Sequence, residues 1–136
     1  MGIAWRGSGA GTLLGKSIPL RDLATSLQSP GVSLISLQKN DGAEELLDAS
    51  GILDLGEGFD SGKDAFVDTA AVMKSLDVVI TVDTSVAHLA GALGVPVWVL
   101  LKRVPDWRWL FNRDDSPWYP HMRLFRQEAI NDWASA

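Results

Sequence analysis

Two stretches of this chain combine side chains and backbone suited to a phosphorylated ligand. The first is the glycine-rich run Arg6-Gly7-Ser8-Gly9-Ala10-Gly11, continuing to Gly15-Lys16-Ser17. Glycines directly after a strand let backbone N–H groups approach a phosphate closely, and Lys16 adds a positive charge. The second is Asp83-Thr84-Ser85-Val86-Ala87-His88. Asp83 or Thr84 can cap a helix there, and the N–H groups beyond the cap, with the positive end of the helix dipole, make an anion site. His88 follows Thr84 by four residues on the same helical face and can donate to the same group. A third group, Ser36-Leu37-Gln38-Lys39 followed by Gly42-Ala43-Glu44-Glu45, offers Gln38 to a base or ribose, Lys39 to a phosphate and Glu44 to ribose hydroxyls. Each has a plainer alternative: a solvated surface loop, a capped helix with a packed histidine, and two first-turn acids that complement a helix dipole.

Two familiar phosphate-binding patterns compete for the glycine-rich run. The dinucleotide pattern G-x-G-x-x-G fails, because Thr12 stands at the third glycine and no acid follows the second strand until Asp41. The Walker pattern G-x-x-x-x-G-K-[ST] is nearly met by Ala10 to Ser17, with Val78 to Asp83 able to serve as its second strand. Against it, Pro19 crowds the helix that should follow, and Gly7 to Gly9 separate the loop from its strand. A Mg²⁺-dependent P-loop phosphotransferase therefore stands as an alternative, alongside a non-catalytic interaction module. A fourth group, Pro105-Asp106-Trp107-Arg108-Trp109 with Asp115-Ser116-Pro117-Trp118-Tyr119-Pro120, interleaves basic and aromatic residues as single-stranded nucleic-acid binders do. Asp106, Asp114 and Asp115 sit among its arginines, so internal ion pairs and cation–π packing explain it better.

The elements that must position these residues follow from periodicity. A length of 136 residues suits one α/β domain, which we expect over residues 1–128 with a frayed tail over 129–136. The formal charge of −5 argues against a general nucleic-acid binder, and the lack of cysteine excludes disulfides, thiolate metal sites and a cysteine nucleophile. No apolar run approaches a membrane span and no leader pattern opens the chain, so a cytoplasmic domain is expected. Ile3-Ala4-Trp5, Val32 to Leu37, Ile52 to Leu55, Val78 to Val82 and Val97 to Leu101 read as strands, and Met122 to Phe125 as a short sixth. Between them Leu20, Leu23, Ala24 and Leu27 mark one helix, Gly42 to Ala49 a second, Phe66, Ala70, Met73 and Leu76 a third, and Thr84 to Leu93 a fourth. Strands alternating with helices predict a three-layer α/β/α Rossmann-like domain with a mostly parallel sheet of order about 3-2-1-4-5. Strands one and four then flank the switch point, where ligands bind outside the carboxyl ends. That order would set a nucleotide diphosphate between Lys16 and the N–H groups of Thr84 and Ser85.

Residues 2 to about 127 also resemble a known family. Gly2 to Gly7, Lys16 to Leu20, Ser36 to Lys39, Val82 to Trp98, Pro105 to Trp109 and Trp118 through Gln127 look like the C-terminal half of bacterial glycosyltransferases appended to tetratricopeptide repeats. These resemble the lipopolysaccharide heptosyltransferase family (glycosyltransferase family 9) and, more distantly, protein O-GlcNAc transferases. The resemblance implies the GT-B arrangement, two Rossmann-like domains facing across a cleft, with the C-terminal one binding the nucleotide sugar. It implies a pyrophosphate on Asp83, Thr84, Ser85 and His88 with Lys16 as basic partner, Gln38 and Glu44 near base or ribose, and Arg6, Gly7 and Lys39 in the same nucleotide-sugar site. The expected activity is one half of an inverting transfer, with the repeats, the acceptor domain and the catalytic base outside this chain. Lys16, His88 and the helix start could stabilise the departing diphosphate without a metal, and the sequence carries no D-x-D pair. Lys102-Arg103 departs from relatives, which tend to have an apolar residue and proline there.

Overall fold

The structure is a computed structural model that describes residues 1–7 and 16–136. Six short strands, β1 (Gly2–Ala4), β2 (Leu34–Ser36), β3 (Ile52–Leu53), β4 (Val79–Val82), β5 (Val97–Leu101) and β6 (Met122–Arg126), form one sheet of order β3-β2-β1-β4-β5-β6. Every adjacent pair is parallel. Three α-helices, α1 (Leu20–Leu27), α2 (Val67–Met73) and α3 (Ser85–Ala92), cover its two faces. The expected α/β Rossmann-like class and strand order hold, with β6 added as a sixth parallel strand beyond β5.

Residue type explains the layering. β4 is buried at all four positions, as a β-branched run in the middle of a parallel sheet should be. Its side chains alternate. Ile80 and Val82 join Ile3, Trp5, Leu20, Leu23, Ala24 and Leu34 beneath α1, whereas Val79 joins Met73, Val86, Ala87, Ala90, Val97, Val99 and Leu101 beneath α2 and α3. The α1 stripe falls where the 3.6-residue period puts it, with Leu20, Leu23 and Ala24 buried.

Three segments differ from their expected form. Gly42 to Ala49, expected as an α-helix, is a 3₁₀ turn over Ala43–Asp48 with no buried residue, and Leu47 stands 88% exposed. Only Leu46 and the following Ala49 pack on the core, and both only partly buried, so the segment has little of the apolar stripe that favours a longer α-helix. Phe66 was expected on the buried face of the third helix. It instead precedes α2 in the left-handed region, at φ 69°, and is 43% exposed. The start of α2 is set from outside the helix. The Asp60 carboxylate accepts from Asp68 N at 3.0 Å and from the Thr69 hydroxyl, while the Asp68 carboxylate accepts from Asp60 N at 2.9 Å. This reciprocal pair does the work of a capping box between two loops. The tail, expected to fray, has one tie to the domain: the Trp133 indole donates to the Ser17 carbonyl at 3.0 Å and packs on the α1 layer. No helix among the described residues is long and apolar enough to cross a membrane.

Candidate functional site

β1, β2 and β4 end at one edge of the sheet, and a cavity of about 710 Å³ opens there. Its lining brings together Arg6, Gly7, Lys16, Gln38, Lys39, Asp83, Thr84, Ser85 and His88. Of the ten residues expected in the nucleotide-sugar site, Glu44 alone lies outside the lining, and it pairs with Arg6, which is in it.

Both phosphate-type motifs contribute to the lining, and they adjoin at Gly7. Gly7 follows β1, and a Cβ there would stand 3.2 Å from Lys16 Cε and 3.6 Å from Thr84 Cγ2. The missing side chain lets the Lys16 stem lie close beside the start of α3. Thr84 occupies the N-cap position of α3 with extended backbone, yet its side chain makes no cap bond. Its hydroxyl instead meets the Thr81 hydroxyl at 3.2 Å. Ala87 N reaches the Thr84 carbonyl at 3.1 Å, so the first turn of α3 is tight. The cap function expected of Asp83 or Thr84 is thus not performed by Thr84's hydroxyl, and the helix start keeps its partial positive charge toward the cavity. His88, one turn on, is half-buried, stacks on the buried Trp109 ring at 5.1 Å and 18°, and meets the Tyr119 hydroxyl through Nδ1 at 3.1 Å.

The third group is tied into the scaffold. Gln38 Oε1 accepts from Trp5 N and Arg6 N, both at 3.0 Å, and its Nε2 donates to the carbonyls of Arg6 at 3.0 Å and Asp41 at 2.8 Å. Both ends of the amide hold backbone. Lys39 Nζ donates to the Phe59 carbonyl at 2.6 Å and to the Asp60 carbonyl. Arg6 forms ion pairs with Glu44 and Glu45, each at 3.1 Å. Glu45 further accepts from the Trp5 indole at 3.2 Å and from Leu20 N at 2.8 Å, which caps α1.

The lining also holds residues that were not expected in the nucleotide-sugar site. Asp60, Phe66 and Thr69 belong to the cross-capped start of α2, and Asp106 and Arg108 to the 3₁₀ turn Trp107–Trp109. Asp106 accepts from Arg108 N at 3.0 Å and from its guanidinium at 2.8 Å. The backbone bond first, then the Arg108 charge, and Lys16 across the cavity hold its carboxyl below the ordinary value. The expected internal pairing of the Trp-rich segment is seen. Arg113 meets Asp115 at 2.7 Å, Arg123 meets Asp114 at 3.4 Å, and the Arg108 guanidinium lies 5.1 Å from the Trp107 ring centre. Trp109 and Tyr119 stand out in the sequence only within the basic and aromatic group; their place beside His88 is not legible there because they belong to an aperiodic segment more than twenty residues further along the chain. The Walker-like stretch from Ala10 to Gly15 lies outside the described residues. Of that stretch Lys16 lines the cavity, and Ser17 does not. No three His, Asp or Glu side chains form a metal-binding set among the described residues.

Comparison with known proteins agrees with this layout. Protein FlbA of Caulobacter vibrioides (strain ATCC 19089 / CIP 103742 / CB 15) is 34% identical over 111 residues, 79% of this chain. The chain spans only 18% of that relative's length. No solved structure matches it. The pattern of Glycosyltransferase family 9 (heptosyltransferase) matches residues 20–104, from the first residue of α1 to just past β5. With well over half of its length inside that pattern, including the helix start at the cavity, the chain belongs to glycosyltransferase family 9.

Proposed function

We propose that this domain binds the diphosphate of a nucleotide sugar and forms the donor half of an inverting GT-B glycosyltransferase. One observation carries the reading: Lys16 and the start of α3 meet across Gly7 at the switch point between β1 and β4. A diphosphate seated there would lie between the Lys16 ammonium and the N–H groups of Ser85 and Val86, with His88 one turn along. These groups would stabilise the charge that develops on the leaving diphosphate. Thr84 and Ser85 would bind it through hydroxyl and N–H groups and Asp83 through its backbone, since its carboxylate carries the same sign of charge. Arg6 would approach it from the β1 side, and Gln38, Lys39 and Glu44 would shape the wall beside base and ribose. Membership of family 9 supports a transferase, and the small share of the long relative supports a module working with other domains, tetratricopeptide repeats among them. A nucleotide-sugar donor also implies a cytoplasmic setting.

A titration followed by backbone amide NMR tests the reading. UDP, ADP or GDP should bind without Mg²⁺ and shift the amides of Thr84 to His88. If all three leave those amides unmoved while ATP with Mg²⁺ shifts Gly15 to Ser17, the P-loop alternative replaces it.

A further inference from the structure

We infer that Tyr119 is the positioning residue of the site: it donates its hydroxyl hydrogen to His88 Nδ1 and so presents His88 to the cavity as an Nε2–H donor. The inference rests on the nucleotide-sugar reading for its purpose, though not for its geometry. Neutral imidazole carries one N–H and one acceptor nitrogen, and a bond at one nitrogen decides what the other offers. Tyr119 OH and His88 Nδ1 lie 3.1 Å apart. His88 lines the cavity and Tyr119 does not, and with Nδ1 turned to Tyr119 the ring nitrogen left for a ligand is Nε2. Were Tyr119 the acceptor, that nitrogen would present a lone pair to phosphate oxygens, which are acceptors themselves. A phenol hydrogen directed at Nδ1 gives the complementary arrangement.

Three further features hold the ring in that orientation. Trp109 lies under it at 5.1 Å and 18°, and Arg126 Nη2 fixes the Trp109 carbonyl at 2.7 Å. Tyr119 meets the imidazole edge-on, with ring centres 5.8 Å apart and planes at 61°. Gly91, three residues after His88 on the same face of α3, makes room for the phenol ring: a Cβ there would stand 2.5 Å from Tyr119 Cγ. A glycine inside a helix otherwise weakens it, so its presence under Tyr119 has a packing reason.

Long-range ¹⁵N–¹H NMR of the histidine rings at about pH 8.5, well above the ordinary imidazole pKa of about 6.5, tests this directly. The His121→Asn variant assigns which signals belong to His88. The wild-type chain without ligand should show His88 protonated at Nε2 alone. Tyr119→Phe keeps the ring over Gly91, so the Tm should stay close to wild type while the tautomers mix. UDP affinity should then fall by about two- to tenfold, as expected for one lost hydrogen bond. A wild-type His88 protonated at Nδ1, or a Tyr119→Phe chain with unchanged tautomer and affinity, overturns the inference. An Nε2–H tautomer that mixes in Tyr119→Phe, in a chain that binds no nucleotide, would uphold the positioning and overturn only the nucleotide reading.

Discussion

Gln38 and His88 both face the cavity, yet their bonding assigns them opposite duties. Gln38 uses both ends of its amide on the backbone of Trp5, Arg6 and Asp41, which fixes the path of the chain as it leaves β1. Gln38→Ala orphans several partly buried backbone groups, each costing about 1–3 kcal/mol when left unpaired. That variant should lower the Tm by several degrees, with any loss of UDP affinity following from the loosened loop. On the proposed nucleotide reading, His88→Ala would remove a donor to a charged phosphate, worth about 1.5–3 kcal/mol, or roughly tenfold to a hundredfold in Kd. Its stability loss should be the smaller of the two, because the ring is half-buried and contributes one stack and one hydrogen bond to the scaffold. Paired measurements of Kd and Tm check both variants, and a His88→Ala chain that melts early while binding normally would place His88 in the scaffold. The place of His88 at the cavity was legible in the sequence because a buried strand running into a helix start marks the carboxyl edge of a parallel sheet. The structural duty of Gln38 was not, since both of its acceptor bonds reach back more than thirty residues to β1.

Among the elements, α3 and the two helix starts beside it show where local patterns suffice and where they do not. The β-branched run of β4 and the turn at Gly94-Val95-Pro96 define α3 from sequence alone, and α1 follows from its leucine spacing. The start of α2 escaped that reasoning because its cap is Asp60, seven residues before Val67 in a different loop. The Trp107–Trp109 turn is capped by its own Asp106, which can be probed by acid. The Asp106 carboxyl in the folded chain sits below the ordinary 3.8, so its contribution to the turn is present above that value and is lost as pH falls through the lower folded pKa. The Arg108 amide, which donates to that carboxylate, should therefore titrate with a midpoint below 3.8, and Asp106→Asn should remove the transition. A second test concerns Gly91. Replacement by alanine would favour an isolated helix by about 1 kcal/mol, but a Cβ 2.5 Å from a ring carbon forces Tyr119 aside, and overpacking of that kind costs about 1–3 kcal/mol. Gly91→Ala should melt below wild type and release His88 from Tyr119, whereas a gain in Tm would mean the phenol ring moves freely.

At the scale of the molecule, the decisive issue is which half of a transfer reaction the cavity can perform. Inverting transfer needs a base beside the acceptor hydroxyl and stabilisation of the leaving diphosphate. The second requirement is within reach of Lys16, His88 and the start of α3. For the first, the described residues put three carboxylates in the lining, Asp60, Asp83 and Asp106. Asp60 is engaged in capping α2, and Asp106 is held charged by Arg108. A carboxylate kept below its ordinary pKa is a weaker base, and one already accepting two or three hydrogen bonds is poorly placed to take another proton. Asp83 remains, but it stands where α3 would receive the diphosphate, on the donor side of the reaction. The purified chain should therefore bind a nucleotide diphosphate yet transfer no sugar to an acceptor, although slow hydrolysis of the donor by water is compatible with this site. Incubating the chain with nucleotide sugars and a panel of hydroxyl acceptors, then following glycoside and free nucleotide separately, distinguishes the outcomes. Release of nucleotide without glycoside fits a donor-binding half. Robust glycoside formation that disappears in Asp83→Asn would make Asp83 the base and this chain a complete transferase.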